Sequence, residues 1–384
     1  MAWRISQYLV EGELDNTHLG KVTGWMQFAG MKEKVTFDLK GDFHRDIRGA
    51  KIRFRTVLKS FVSDWGDRME HLLRHGIFGL KHLEYTTLLD LSDLLRTGTP
   101  ESREIRDLLL QVVQNEVAQQ FWRYDYEKYR PDEFGPPKHK LSKLLVGGTS
   151  ALMLSQPYST FTFRRIMDDG MIFLADLSSN LGTEVRDILG GFILAIIHAT
   201  ALSRSDIPPE KRTSFHVYVD EAHRFVTDCL EEMLVETRKF GVSLTLAHQY
   251  MRQFTRQQMD AVGSVGSTIV FNVARQDADY LARSFQEKVK AEDLIKLENR
   301  GAIVRIGTAV TKIRTLDLPP MPQVSFRDEI IEQSHRKYCA PVGKVQEMIR
   351  RRHRHSGETF SPLVPTAIET TNGVPCRERV YDEF

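Results

Sequence analysis

Phe215-His216-Val217-Tyr218-Val219-Asp220-Glu221-Ala222-His223 is the stretch on which the reading of this chain turns. Phe215 to Val219 is a short run of β-branched and aromatic residues, the composition of a strand buried in a sheet. Two adjacent acids end it. A parallel strand delivers the side chains at its C-terminal end to the crevice where ligands bind. There the first carboxylate, Asp220, can hold Mg²⁺ through its water shell, because Mg²⁺ takes oxygen ligands and keeps waters. The second, Glu221, can orient or deprotonate a water attacking a phosphoryl group. The plainer alternative is a strand that ends in a polar turn.

The next segments add to the pattern. Leu234-Val-Glu-Thr-Arg238-Lys239-Phe-Gly241 places a basic pair at a helix end. Val242-Ser-Leu-Thr-Leu-Ala-His248-Gln249 then reads as a strand followed by a polar Gln249. An amide in that place can sense a γ-phosphate or the attacking water. Arg238 can act across a subunit boundary, because a guanidinium binds phosphate oxygens in a bidentate fork. Alternatively, Arg238 and Lys239 are basic residues that complement a helix C-terminus. Further outward, apolar runs alternate with helical periodicity. Strands are expected at Met171–Leu177, Phe215–Val219, Val242–Ala247, Ser267–Val273 and Ala302–Ile306, and helices at Glu184–Arg204, Cys229–Phe240 and Gln276–Phe285. Such alternation predicts a parallel sheet with both faces covered.

Upstream, residues 57–160 read as mostly helical. Thr99 before Pro100 has the form of an N-cap followed by proline at the first helical position. Arg130 to His139, with Pro131, Gly135, Pro136 and Pro137, reads as a loop. Residues 1–56 read as a small antiparallel unit with strands at Ile5–Val10, Gly20–Phe28, Glu33–Leu39 and Ala50–Arg55. After Pro319, Pro320 and Pro322 the pattern fades, so residues 323–384 are expected to form a basic, partly disordered tail. Arg350, Arg351, Arg352 and Arg354 interleave there with His353 and His355, and contact with phosphates is the sharper alternative.

Two other clusters have competing readings. His71 and His75 lie four apart beside Glu70, a spacing that can bind zinc, but packing of a polar helix face is preferred. Trp122, Tyr124, Tyr126 and Tyr129 mix with Arg123, Lys128 and Arg130, which suits base stacking, but packing at a helix end is preferred here too.

The 384 residues carry 53 Lys and Arg against 51 Asp and Glu, a net charge of +2. That balance excludes a protein that coats nucleic acid by charge alone. Cys229, Cys339 and Cys376 form no C-x-x-C pair, which fits a reducing cytosol. The apolar run Gly190 to Leu202 falls short of the ~20 residues a membrane span needs, and no transmembrane segment is expected.

Residues 65 to 322 resemble the TraG/TraD-type coupling ATPases of bacterial conjugation and type IV secretion, within the HerA/FtsK group. The resemblance rests on Phe163-Arg-Arg-Ile-Met-Asp-Asp-Gly170, Leu189-Gly190-Gly191, the Walker B-like VYVDEAHRF strand, ETRKFGVSLTLAHQY and Asp277-Ala278-Asp279 in that order. It implies a RecA-like, mostly parallel α/β sheet with a helical insertion, and residues 161–322 as the ATPase portion. It also implies Asp220 as the Mg²⁺-linked acid, Glu221 as catalytic base, Gln249 as sensor and Arg238 as a trans-acting finger. ATP and Mg²⁺ are the implied cofactors. DNA, a hexamer-like ring of like chains and relaxase or secretion-channel proteins are the implied partners. The implied location is the cytoplasm, with a peripheral place at the inner face of the cell membrane as a further option.

One departure matters. The family's phosphate loop, G-x-x-x-x-G-K-[ST], occurs nowhere in this sequence. The sheet is therefore expected to be incomplete, and hydrolysis to be lost or to need a complementary P-loop-bearing chain. A non-catalytic DNA-binding or docking subunit is the alternative. Asp220-Glu221-Ala222-His223 also spells the DEAH box of helicases, but the other motifs of that class are missing.

Overall fold

The computed structural model describes residues 22–27, 33–35, 66–80, 82–83, 86–146, 148–156, 160–177, 182–225, 230–285, 288–317 and 325–351. The expected strands Ile5–Val10 and Ala50–Arg55, together with Cys229, Cys376 and the tail beyond Arg351, lie outside them. Nine strands are described: β1 (Val22–Gln27), β2 (Glu33–Val35), β3 (Ile172–Asp176), β4 (Phe215–Val219), β5 (Val242–Leu246), β6 (Ser267–Val270), β7 (Gly301–Ile306), β8 (Ala309–Arg314) and β9 (Cys339–Pro341).

The helical region opens with α1 (Asp67–Leu80), α2 (Leu88–Leu94), α3 (Pro100–Val112) and α4 (Glu116–Gln120). Thr99 caps α3 as its sequence predicts: the hydroxyl accepts the Ser102 N–H, and Pro100 occupies the first turn. The expected loop at 130–139 is instead a short 3-10 turn (Pro131–Phe134) running into α5 (Gly135–Leu145). Pro136 and Pro137 sit in the first turn of α5. There a missing N–H costs nothing, since first-turn amides have no intrahelical partner. Then come α6 (Gly148–Leu154) and α7 (Phe163–Asp168).

The central helix is α8 (Thr183–Ser203). It is apolar all round because it is enclosed all round. Among the described residues the span Val185–Asp206 is the one helix long and apolar enough to cross a membrane, and 83% of its apolar window is buried within the protein. Phe192, Ile193, Ile196 and Ile197 join the core formed by the helical region and β4. Where α8 passes the turn after β4, Gly190 leaves room for the Phe225 ring: a Cβ there would lie 2.2 Å from a ring carbon.

The chain continues through α9 (Leu230–Glu236), a 3-10 turn (Thr237–Phe240), α10 (Arg256–Gly263), α11 (Arg275–Ser284) and α12 (Ala291–Ile295). β4 and β5 pair in parallel, from Phe215 opposite Val242 to Val219 opposite Leu246. β1 pairs in parallel with β3. β6, β7 and β8 form an antiparallel three-stranded sheet. The expected parallel placement of Ser267–Val273 and Ala302–Ile306 is thus corrected. The two-residue link between β7 and β8, with Gly307 at φ 58°, makes a hairpin that parallel strands cannot make. One face of this sheet covers a second core of Val270, Leu281, Phe285, Leu294 and Ile303.

The N-terminal strands also differ from expectation. β1 and β2 do not pair as a hairpin. β1 joins β3, and β2 runs antiparallel to β9, so their partners come from far along the chain. Part of the expected tail is folded as well: α13 (Arg327–Tyr338) and α14 (Val342–Arg351) flank β9. Ile330, Ile331, Tyr338 and Val345 are buried, and this apolar stripe explains the packing.

Candidate active site

The parallel pair β4–β5 sets the geometry. Its ladder runs one step beyond the strands: Ala247 N–H donates to Val219 O at 2.8 Å, and Ala222 N–H donates to Ala247 O at 2.9 Å. Between these bonds the chain must turn sharply, and Glu221 takes the strain, with φ 51° and ψ 42°. Among the described residues only Arg300 is another non-glycine at positive φ. That conformation costs an L-residue about 1–2 kcal/mol, and such strain concentrates at functional positions.

Three of the four sequence-predicted site residues come together here. Asp220 is half-buried directly after β4, and its Oδ1 accepts the Glu221 N–H at 3.1 Å. Gln249, just past β5, donates from Nε2 to Glu221 Oε1 at 2.6 Å. A carboxylate and an amide from adjacent strands thus share one hydrogen bond at the C-terminal edge of the pair.

Arg238 lies elsewhere. It is exposed in the 3-10 turn that precedes β5. The length of β5, roughly 3.3 Å per residue, separates it from Gln249. Within one chain Arg238 belongs to the opposite edge. That edge is fixed by an ion cluster built on Arg164 of α7 and Arg204 just after α8. Arg164 Nη2 donates to Asp206 Oδ1 at 2.7 Å and Nη1 to Ser203 O at 2.9 Å, while its Nε pairs with Asp168. Asp168 also lies 3.1 Å from Nε of the fully buried Arg204. Arg204 in turn donates to the carbonyls of Phe240 and Thr213, just before β5 and β4. The Phe163–Gly170 motif therefore anchors the N-terminal edge of the strands rather than the site.

Sequence reasoning missed the support for Glu221. His223 Nδ1 lies 3.6 Å from Glu221 Oε2, and its Nε2 is 3.2 Å from Gln253 Nε2. Gln253 Oε1 accepts the Tyr250 N–H at 3.0 Å. The Met251 N–H donates to the buried Asp277 at the start of α11. The signal was present as the four-residue spacing of Gln249 and Gln253 and as the histidine of the DEAH tetrad. Burial pushes the His223 imidazole below its ordinary range, with Glu221 opposing and Arg224 adding to the shift. Burial does the same to His248, opposed mainly by Asp277.

The competing clusters resolve into packing. His71 Nδ1 bonds the Tyr129 hydroxyl at 2.7 Å, and His75 stacks on Phe121 with centroids 4.1 Å apart. Trp122 and Tyr126 are buried, although Tyr124 is exposed. His216 is satisfied by Ser243 Oγ at 2.7 Å across the strand pair.

No family model matches the chain, and no curated protein matches it. Solved structures do. Plasmid coupling protein TrwB in complex with the ATP analogue ADPNP superposes with a TM-score of 0.56 at 14% identity, over 82% of this chain and 78% of that one. The chain has the fold of a conjugative coupling protein. TrwB in complex with ADP and Mg²⁺ gives 0.55 at 13% identity, over 79% of this chain and 76% of TrwB. The unbound monoclinic form of TrwBdeltaN70 gives 0.53 at 14% identity, over 79% and 78%. The RecA-like α/β class expected from the sequence is therefore the class observed, with the strands among the described residues bonded in four groups.

Proposed function

We propose that Asp220, Glu221 and Gln249 form the hydrolytic edge of a nucleotide site in a DNA-transfer ATPase of the conjugative coupling type. One observation carries this reading: the 2.6 Å hydrogen bond from Gln249 to Glu221 across neighbouring parallel strands. It ties the group that would activate water to the group that would sense its phosphate target. The donor set suits the cofactor. Among the described residues no three His, Cys, Asp or Glu side chains gather as a metal cluster. Asp220, with Glu221 next to it, suits a Mg²⁺ that keeps its waters and is held mainly by phosphates. Bound Mg²⁺ and ATP would supply the electrophilic phosphoryl group; Glu221 would orient and deprotonate the water, and Gln249 would hold Glu221 until phosphate replaces it. Arg238 would serve the neighbouring copy in a ring, since it stands at the opposite edge of its own strands.

The phosphate cradle is the missing part. With no G-x-x-x-x-G-K-[ST] in these 384 residues, it would come from a segment of different chemistry or from outside them, a complementary chain included. DNA would meet the loop that follows Gln249. Tyr250, Arg252 and Arg256 are exposed there, and among the described residues neither arginine has an ion pair. Free guanidinium groups beside an exposed aromatic ring suit phosphates and stacked bases.

The missing cradle favours a second reading, a non-catalytic DNA-binding or docking subunit. Titration of the full chain with Mg²⁺ and a non-hydrolysable ATP analogue separates the two. The first reading expects saturable binding that needs Mg²⁺ and weakens about tenfold or more in Asp220→Ala. DNA binding indifferent both to nucleotide and to Asp220→Ala would favour the scaffold.

A further inference from the structure

We infer that His223 is the positioning residue of Glu221, and that Gln253 selects the imidazole tautomer that lets it act. The inference rests on the proposed role of Glu221 and adds residues that role does not require. The Gln253 amide has a fixed orientation, because its oxygen accepts the Tyr250 N–H at 3.0 Å. Its NH₂ group therefore faces His223 Nε2 at 3.2 Å. An NH₂ group only donates, so His223 Nε2 must accept. In the neutral imidazole the proton then sits on Nδ1. That N–H is buried without a normal hydrogen bond, and Glu221 Oε2 is 3.6 Å away. A desolvated donor has every reason to close on a carboxylate that near.

Gln249 already holds Glu221 on Oε1, and closure of the His223 N–H on Oε2 would grip the carboxylate on both oxygens. Both contacts return to one short segment, since Gln249 precedes the 3-10 turn Met251–Gln253 by two residues and Gln253 ends it. A carboxylate so held keeps a fixed plane toward its water while Gln249 remains free to exchange. Protonation of His223 would set an Nε2–H against the Gln253 NH₂ and open this ring. The charged and titratable groups facing His223 are Glu221, Arg224 and Asp187, with His248 on the β5 side.

The test uses full-length protein and two readouts. Long-range ¹H–¹⁵N spectra report the tautomer without nucleotide. The expected result is Nδ1–H for His223, lost in Gln253→Leu; an Nε2–H tautomer overturns the inference. Hydrolysis of Mg·ATP reads the positioning. Asn carries an N–H near the Nδ1 place and Gln carries one near the Nε2 place. His223→Asn is therefore expected to keep kcat within a few-fold, while His223→Gln loses about 10- to 100-fold with KM for ATP little changed. The acid limb of the kcat profile should vanish in His223→Asn. Equal rates for wild type and His223→Gln overturn the positioning role alone. A wild-type chain that neither binds nor hydrolyses Mg·ATP overturns the proposed function of Glu221, and the positioning role with it, whatever the tautomer.

Discussion

Glu221 shows what a single residue contributes and costs. A side chain in the left-handed region is retained where neighbours over-determine it, and here two backbone bonds and Gln249 do so. The placement of the acids and Gln249 was legible in the sequence because it depends on local order: a strand, its end and the next strand's end. His223 and Gln253 were not, because their meaning depends on a loop folding back across thirty residues of chain. Residue-scale chemistry also predicts a pH effect. His248 has an ordinary value near 6.5 that burial lowers in the fold. The unfolded chain takes up the proton first, so this contribution is present above ~6.5 and is lost as pH falls through the lowered folded value. The melting temperature should fall between about pH 7 and about pH 5, and fall less in His248→Gln. Identical pH dependence in the two proteins would remove His248 from the account.

At the scale of elements, α8 is the piece on which the site rests. Gly190 brings it against Phe225, four residues after Glu221. Gly190→Ala should cost about 1–3 kcal/mol in urea unfolding, since the Cβ has no room unless the ring moves. An unchanged midpoint would mean that the contact yields freely. The elements legible in the sequence were those with long periodic patterns or caps. α8 begins at Thr183 where a start at Glu184 was expected, and Thr99 caps α3 as expected. What escaped was pairing. Nothing local in Val22–Gln27 points to a parallel partner at Ile172–Asp176, and an alternating pattern suits either direction of pairing. The α5 prolines misled for a physical reason, since the residues that break a helix interior are tolerated in its first turn.

For the whole molecule, Arg238 stands on the far edge of the strands that carry Glu221; on the proposed reading, one chain would hold two incomplete halves of a site. Copies in a ring would complete each other. Arg238→Ala and Glu221→Gln chains should each be inactive, and their mixture should regain hydrolysis. A wild-type rate in Arg238→Ala would make that residue an ordinary helix-end charge. The most direct measurement is phosphate release from saturating Mg·ATP in the presence of DNA, by wild type and by Glu221→Gln, which keeps the side chain's size and removes its basicity. DNA-stimulated release by wild type and a loss of about 100-fold or more in the variant are expected. Equal release by the two proteins would contradict the proposed role of Glu221.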